Sequence, residues 1–382
     1  MPLALNQVAV VGVGYSRVGR RTGLSERELA IQAGKAALAD AGMSPADVDG
    51  VSTMGGEAMD VAYLLGMTPV NWFFTAGQPG PAFVDPAVRS IAAVAAGLCH
   101  TCIALRVIKQ MPSQTERVSG EAPVPDEARG DAQFTAPFGG DAAAAMIAGL
   151  EMQRHMSEYG TTEEQFAANA VTQRRHASLN DDALFREPMT VEDYLASRYV
   201  SKPVRLFDCD YPVDSGSAVI FTTAERARDW RHRPVLVESY ALSAIRDFNF
   251  WLLDDFARTA PWHCARQLWS RTDLGPGDVD CAQLYDGFTI ITFQWLEALG
   301  FCKPGEAGPF VADGNTALGG TLPLNTDGGA CNVGRRHGAN FCIEAVRQLR
   351  GDCGPRQVQG AEVAVWTNAV GPFAGAVLLT AG

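Results

Sequence analysis

A phenol and a carboxylate stand side by side at Tyr285 and Asp286, inside the segment CAQLYDGFTIITFQWLEALGFC of residues 281–302. The residues before Tyr285 are small and apolar and predict the end of a buried strand, while those after it predict an amphipathic helix. A tyrosine at such a corner faces a pocket more often than solvent, so Tyr285 is a candidate for proton transfer. Asp286 is a second candidate, although its position also predicts an N-cap for the following helix.

The composition excludes several classes of protein. A chain of 382 residues, 47% hydrophobic and 19% charged, is long enough for a large core in two similar halves or domains. A net charge of -12 argues against nucleic-acid binding, which needs a concentrated basic face. No apolar run approaches the roughly 20 residues of a membrane span, and the start resembles no signal peptide, so we expect a cytoplasmic protein.

The spacing of the cysteines and glycines does not support a zinc site or a dinucleotide-binding site. The nine cysteines predict buried thiols, and the C-x-x-C from Cys99 to Cys102 lacks the second pair of a zinc ribbon. Gly12 and Gly14 follow the first predicted strand, but Arg17 stands where a dinucleotide-binding fingerprint needs its third glycine. We therefore interpret the two glycines as a tight strand-to-helix turn.

Strands and helices alternate along the chain, and the alternation starts twice. The strand QVAVVGVG precedes a helix for which Ser25 and Glu28 predict a capping box. The pattern restarts at RPVLVESYALSAI. We predict an α/β protein with an N-terminal half at 1–232, including a loop region at 112–200, and a C-terminal half at 233–382.

Longer motifs carry a resemblance to a known family. GGTLPLNTDGG at 319–329 and GRRHGANFCIEAVRQLRG at 334–351 resemble the thiolase superfamily, in the lipid-transfer-protein branch related to the thiolase domain of sterol carrier protein X. The resemblance extends over essentially the whole chain, including 138–167 and DCDYPVDSGSA at 208–218. It implies two βαβαβαββ halves that form a five-layered αβαβα sandwich, usually in a tight homodimer.

The residues that thiolase chemistry uses have all changed. A thiolase needs a reactive cysteine before the helix that here reads AVRSIAAVAAGL, but Gly80 falls near that position. Arg335 replaces the histidine of the family's G-H-P-x-G motif, with His337 two residues on, and Tyr285 stands where related thiolases carry a histidine. The second cysteine of true thiolases is also missing, since the matching stretch offers Asn368. These replacements argue against acyl transfer through a cysteine.

The replaced residues resemble those of the retro-aldolases that shorten steroid side chains. The implied substrate is a β-hydroxyacyl-CoA with a tertiary hydroxyl, and its cleavage needs a base, an acid and donors to the thioester oxygen. By this resemblance Tyr285 transfers a proton and His337 is its partner, with the acid and base roles left open. Because a free phenol has a pKa near 10, a neighbouring cation must stabilise the phenolate, and Arg335 or protonated His337 would supply it. Candidates at the thioester oxygen are Asn325, Gly328, Gly329, Asn368 and Gly371.

No cofactor or metal is expected beyond the CoA of the substrate. The lysines lie outside pocket motifs, which argues against a Schiff-base aldolase, and the six histidines show no metal-ligand spacing. The resemblance also implies a small OB-fold partner of the DUF35 type in a heterotetramer. Aromatic residues at 71–86 and 248–256 suit its docking, or pack at a dimer interface. Two alternatives stay open: a non-catalytic acyl-CoA or lipid carrier or scaffold, and a cysteine-free acyltransferase.

Overall fold

Strands and helices alternate in two series, as the sequence predicts. The computed structural model describes residues 7–77, 81–109, 144–245, 255 and 258–382. The first series is β1 (Val8–Tyr15), α1 (Glu26–Ala41), β2 (Gly50–Met54), α2 (Ala58–Leu65), β3 (Trp72–Thr75), α3 (Val84–Ala95), β4 (Thr101–Ile108), α4 (Ala144–Tyr159), α5 (Glu163–Ser178), α6 (Val191–Ala196), β5 (Tyr199–Ser201), β6 (Val204–Arg205), β7 (Ser215–Thr223) and α7 (Ala224–Ala227).

The second series begins at Val235, two residues into the predicted second half, and repeats the same order in shorter form. It consists of β8 (Val235–Ala244), α8 (Ala260–Trp269), β9 (Cys281–Gln283), α9 (Thr289–Ala298), α10 (Ala307–Ala312), α11 (Ala330–Val333), α12 (Ala339–Arg350), β10 (Val363–Val370) and β11 (Phe373–Ala381). The predicted division at residues 232 and 233 falls between α7 and β8. As a boundary between folding units it stays a prediction.

The two series meet through their first strands. The strand order is β3-β2-β4-β7-β1-β8-β11-β10-β9, and β1 pairs antiparallel with β8, with Ala9 opposite Leu236 and Val10 opposite Val235. The order on one side of this junction mirrors the order on the other. The third strand of the second series is reduced to one parallel bridge between Ala282 and Leu324. The predicted pair of halves is thus confirmed, with one shortened.

Five layers follow from where the helices pack. Helices α3 and α12 each contact strands of both halves, which places them in the middle, inside the core cluster that includes Phe83 and Phe341. Helices α1 and α2 cover the outer face of the first half. Helices α8 and α9 cover the outer face of the second. In the described ranges no helix is long and apolar enough to cross a membrane, and a cytoplasmic location stays a prediction.

Helix α1 confirms one prediction and corrects another. Ser25 and Glu28 form the predicted capping box, with the Glu28 carboxylate accepting from the Ser25 N–H at 2.8 Å. Gly12 and Gly14, however, lie inside β1 and not in a turn. A Cβ on Gly12 would come 2.5 Å from the Ala37 carbonyl oxygen, so these glycines are needed for the close packing of α1 on β1.

Candidate active site

One cavity collects ionisable side chains from both halves of the fold. Its empty volume is about 900 Å³, with the space at its open mouth included. Residues from β2, α4, the loop before β7, the start of α9, the loop before α12 and the β10–β11 turn line it. The ionisable lining residues are Glu151, Asp210, Tyr285, Arg335 and His337.

Tyr285 lies two residues beyond the end of β9 and is held at its backbone and its ring. Its N–H donates to the Thr367 hydroxyl at 3.1 Å, and its ring packs edge-to-face on Phe341 with 6.0 Å between the ring centroids. The ring of Tyr285 lies over Gly287, and a Cβ at residue 287 would come 2.6 Å from the phenol oxygen. Any residue other than glycine would therefore clash with the ring. The phenol of Tyr285 therefore has one fixed place in the cavity wall.

Asp210 and Arg335 form an ion pair beside this phenol, with 3.5 Å between Oδ1 and Nε. The backbone N–H of Asp210 donates to the carbonyl of Gly287 at 3.1 Å, which ties the backbone of Asp210 to the glycine under the Tyr285 ring. Burial raises the pKa of Asp210 to about 6, against the opposing effect of the Arg335 charge. Sequence reasoning did not single out Asp210, although DCDYPVDSGSA was among the quoted motifs.

The charges around Tyr285 set its protonation state. Burial raises the pKa of the phenol far above its usual range; the negative charge of Asp210 adds to this effect and the positive charge of Arg335 opposes it. The free site therefore holds a neutral phenol O–H at neutral pH. Tyr285 starts as a proton donor, and the carboxylate of Asp210 is the group in the cavity that is ready to accept a proton.

His337 receives a hydrogen bond from a buried arginine. Nη2 of Arg106 lies 2.7 Å from Nδ1 of His337, and Nη1 of Arg106 donates to the carbonyls of Met54 and Val107 at 2.9 Å each. Because a guanidinium only donates, Nδ1 of His337 accepts, and the proton of the neutral imidazole is on Nε2. Burial lowers the pKa of His337 well below its usual value, and the charges of Arg106 and Arg335 lower it further.

Arg106 is a second residue that supports the site and that sequence reasoning did not identify. It lies in β4 and is 6% exposed, surrounded in the sequence by the apolar residues CIALRVI. A charged residue in the middle of a buried strand is rare unless it is paired, and this was the available signal. The partner that explains it, His337, lies far away in the sequence.

Asp286 does not have the predicted capping role. The N-cap of α9 is Phe288, whereas Oδ1 of Asp286 accepts the N–H of Ala330 at 2.8 Å, at the start of the short helix α11. The carboxyl is fully buried beneath Gly329, where an added Cβ would meet Oδ2. Burial raises the pKa of Asp286 to about 8. Asp286 does not line the cavity in the described residues, so it supports the wall behind Tyr285.

Of the residues predicted at the thioester oxygen, Gly371 lines the described cavity and the others lie behind it. The amide of Asn325 exchanges two hydrogen bonds with the backbone of Leu284, at 2.7 and 2.8 Å, and so extends β9. Asn368 is fully buried on β10, and the glycine pair 328–329 packs against α5 and Asp286. An oxyanion role for these residues stays a prediction; the geometry favours Gly371.

The cavity is equipped for acid–base chemistry. Its described lining contains no cysteine, and Cys99 and Cys102 are buried at 2% and 0% exposure, which confirms their predicted core packing. Gly80 lies outside the described residues. Among the residues that the structure describes, no group of three or more His, Cys, Asp or Glu side chains is placed to hold a metal ion.

The fold and the site define a thiolase-fold protein whose cysteine site has been replaced by a phenol, an imidazole and an ion pair. Residues 246–380 match the Thiolase C-terminal domain-like family. The chain is 36% identical over 97% of its length, and 99% of the relative, to a 17-hydroxy-3-oxo-4-pregnene-20-carboxyl-CoA lyase of Mycobacterium tuberculosis. It is 34% identical, over 90% of both chains, to a steroid side-chain-cleaving aldolase of Thermomonospora curvata.

A solved structure agrees with these relatives. The Ltp2-ChsH2(DUF35) aldolase superposes with a TM-score of 0.89 at 32% identity, over 99% of both chains. The chain belongs to the thiolase superfamily, in the branch of the steroid side-chain-cleaving aldolases. The predicted resemblance is thereby confirmed.

Proposed function

We propose that the chain cleaves a steroid-type β-hydroxyacyl-CoA by a retro-aldol reaction, giving a ring ketone and a short acyl-CoA. The observation that carries the proposal is the cavity in which Tyr285, Asp210, Arg335 and His337 meet without a cysteine in the described lining. The substrate named for the Mycobacterium tuberculosis relative joins a hydroxyl-bearing ring to a carboxyl-CoA side chain, as this reaction requires.

The first proton transfer uses the ion pair. The substrate hydroxyl gives its proton to the Asp210 carboxylate, whose pKa of about 6 suits a base that works near neutral pH. The electron pair of the oxygen forms the ketone, and the adjacent carbon–carbon bond breaks. The electrons of that bond pass to the α-carbon of the thioester, which becomes an enolate. The charge of Arg335, 3.5 Å from Asp210, keeps the carboxyl ionised before the substrate binds.

The second proton transfer uses the phenol. The enolate carbon takes the proton of Tyr285, which is a neutral O–H in the free site. The resulting phenolate is stabilised by Arg335 and then recovers a proton from the protonated Asp210, which restores both groups. Protons and electrons balance over the cycle, and no covalent intermediate with the protein is formed.

The enolate oxygen needs a donor that stays neutral and fixed. His337 meets this need, because Arg106 holds its Nδ1 as an acceptor and leaves the N–H on Nε2. The backbone of Gly371, at a φ of 57° in the β10–β11 turn, lines the same cavity and is the second candidate donor. His337 is thus the electrophilic partner that the sequence left unassigned between acid and base.

A cleavage assay with Tyr285→Phe tests the proposal. The substrate is a β-hydroxyacyl-CoA with a tertiary steroid hydroxyl, given to the chain alone and then with a DUF35-type partner. We expect ketone and a short acyl-CoA from the active form, and a loss on the order of 10³-fold in kcat for Tyr285→Phe, since its phenol supplies the enolate proton. Tyr63→Phe is the matched control, because Tyr63 is 83% exposed on α2.

The assay also separates the alternatives. Binding of the CoA ester without cleavage, with the partner present, would replace the aldolase by a carrier. Transfer of the acyl group to a second CoA without a ketone product would instead indicate an acyltransferase. Equal rates for Tyr285→Phe and the wild type would remove Tyr285 from the mechanism while leaving the reaction in place.

The assembly is proposed to be a heterotetramer of two copies of this chain and two DUF35-type partners. The Ltp2-ChsH2(DUF35) structure supports the partner. The edge strand β3 supports the pairing of two copies, because Phe73 is 61% exposed there and an open sheet edge is usually covered. Most of the second predicted docking segment, 248–256, lies outside the described residues. Light scattering of the chain, with and without the partner, tests the composition.

A further inference from the structure

The cavity continues past the reacting groups along α9. Phe288, Ile291 and Gln294 line it at three-residue spacing, so they follow one face of this helix. At a rise of 1.5 Å per residue, Gln294 lies about 9 Å along the axis from Phe288. Across from them, Ile147 and Glu151 of α4 lie four residues apart on one face. The cavity therefore has a reacting end near Tyr285 and a far end near Glu151.

The far end holds three buried polar side chains in an otherwise apolar wall. Thr259, Gln294 and Glu151 are 3%, 2% and 6% exposed, respectively. The Thr259 hydroxyl donates to Oε1 of Gln294 at 2.8 Å, which leaves the amide N–H groups of Gln294 as donors. Gln294 in turn hydrogen-bonds the Glu151 carboxyl. Thr259 thus donates to Gln294, and Gln294 donates to Glu151.

The Glu151 carboxyl ends this series in a neutral form. Burial raises the pKa of Glu151 to about 8, and the hydrogen bond from Gln294 opposes this only in part. At pH 7 the group therefore carries its proton for most of the time. When one oxygen of this carboxylic acid accepts from Gln294, its O–H can donate to a further acceptor. A buried O–H that donates to no acceptor costs free energy.

We propose that Glu151, oriented by Gln294 and Thr259, is a recognition site for a ketone oxygen at the end of the substrate ring system farthest from the cleaved side chain. This inference rests on the proposed function, since it takes the ring system into the apolar cavity between Tyr285 and Glu151. The neutral acid donates to the ketone, whereas a charged carboxylate would repel it. A ring system without that oxygen would leave the buried O–H unsatisfied, and so would bind more weakly.

Calorimetric binding of two steroid ketones tests the site without needing any cleavage. One ligand carries ketones at the cleaved carbon and at the far end of the rings; the other lacks the far ketone. We expect the wild type to prefer the diketone on the order of ten-fold. Glu151→Met should bring the ratio close to one, while Glu151→Gln, which is neutral and keeps a donor, should retain most of the preference.

The controls distinguish this site from a structural role and from the reaction itself. Glu158→Met makes the same change on the same helix, at a residue paired with Arg154 on the surface, and should keep the wild-type ratio. An unchanged ratio in Glu151→Met overturns the site, as does a loss in Glu151→Gln equal to that in Glu151→Met. If the preference for the diketone depends on Glu151 but no CoA ester is cleaved, the result supports the ketone site and contradicts the proposed reaction.

Discussion

Two carboxyls line the same cavity, and their surroundings give them different charge states at neutral pH, with Asp210 ionised and Glu151 neutral. Asp210 lies 3.5 Å from the guanidinium of Arg335, and its pKa is raised only to about 6. Glu151 has the neutral amide of Gln294 beside it, and its pKa is raised to about 8. Burial acts on both in the same direction, so the cation makes the difference.

This difference teaches how one apolar pocket can hold a base and a donor built from the same functional group. The ionised carboxylate stands at the reacting end, where a proton must be taken from a hydroxyl. The neutral acid stands at the far end, where it can bind without repelling an oxygen. A thiolase places a reactive thiol in this region of the fold; in the reaction proposed for this chain, an ionised and a neutral carboxyl would act instead.

The largest expected effect comes from removing the charge at the reacting end. Asp210→Asn should lower kcat on the order of 10²- to 10³-fold, because no other ionised group in the described cavity lining is placed to accept the hydroxyl proton. Glu151→Gln should lower kcat less than ten-fold. Steady-state rates of the two variants, with the exposed Asp313→Asn as control, measure the contrast. Similar losses in both variants would show that the two carboxyls do not differ in role.

An intermediate effect is expected when the cation is removed and both carboxyls are kept. Because Arg335 lowers the pKa of Asp210, Arg335→Met should raise it, and the rise in kcat that the wild type shows through about pH 6 should move to higher pH. At pH 6 the variant should be slower by on the order of ten-fold or more.

Two further variants make the pH profile specific to this ion pair. Arg335→Lys keeps a positive charge and should leave the acidic limb near its wild-type position. Arg27→Met removes an exposed arginine paired with Asp60 and should not move it. An acidic limb at the same pH in wild type and Arg335→Met would show that Asp210 is not the group that titrates.

The smallest expected effect concerns the tautomer of His337. Arg106→Met removes the donor to Nδ1 and a positive charge that lowers the pKa of His337, so that pKa should rise toward its ordinary value. Nitrogen NMR of the imidazole should show a fixed Nε2–H form in the wild type and a mixture of tautomers in the variant. We expect kcat/KM to fall by about ten-fold. The same single tautomer in both proteins would contradict the role given to Arg106.

The sequence predicted the elements well because local patterns determine them. The capping box at Ser25 and the strand-to-helix corner after Tyr285 depend on neighbouring residues, and both are present in the structure. The glycines of β1 were misread as a turn because their reason, the approach of α1, involves residues about 25 positions away. The shortened third strand of the second half likewise leaves no local signal.

The site was predicted in part, for the same physical reason. Tyr285, Arg335 and His337 stand at positions that motifs mark, and the structure brings them into one cavity. Asp210 and Arg106 come from other segments, and their importance depends on the partners that folding brings to them. Asp286 was predicted to cap α9, but its carboxylate accepts a hydrogen bond at the start of α11. Tertiary packing determines which of these two helix N-termini it contacts, and the local sequence does not show this.

The most direct test of a cysteine-free retro-aldol reaction is cleavage in heavy water, followed by the masses of products and protein. The substrate is the β-hydroxyacyl-CoA of the proposed reaction, with the partner present. The mechanism predicts a ring ketone, an acyl-CoA with one deuterium at its α-carbon, and a protein of unchanged mass during turnover. An acyl adduct on any cysteine, or an acyl-CoA formed without deuterium, would contradict it.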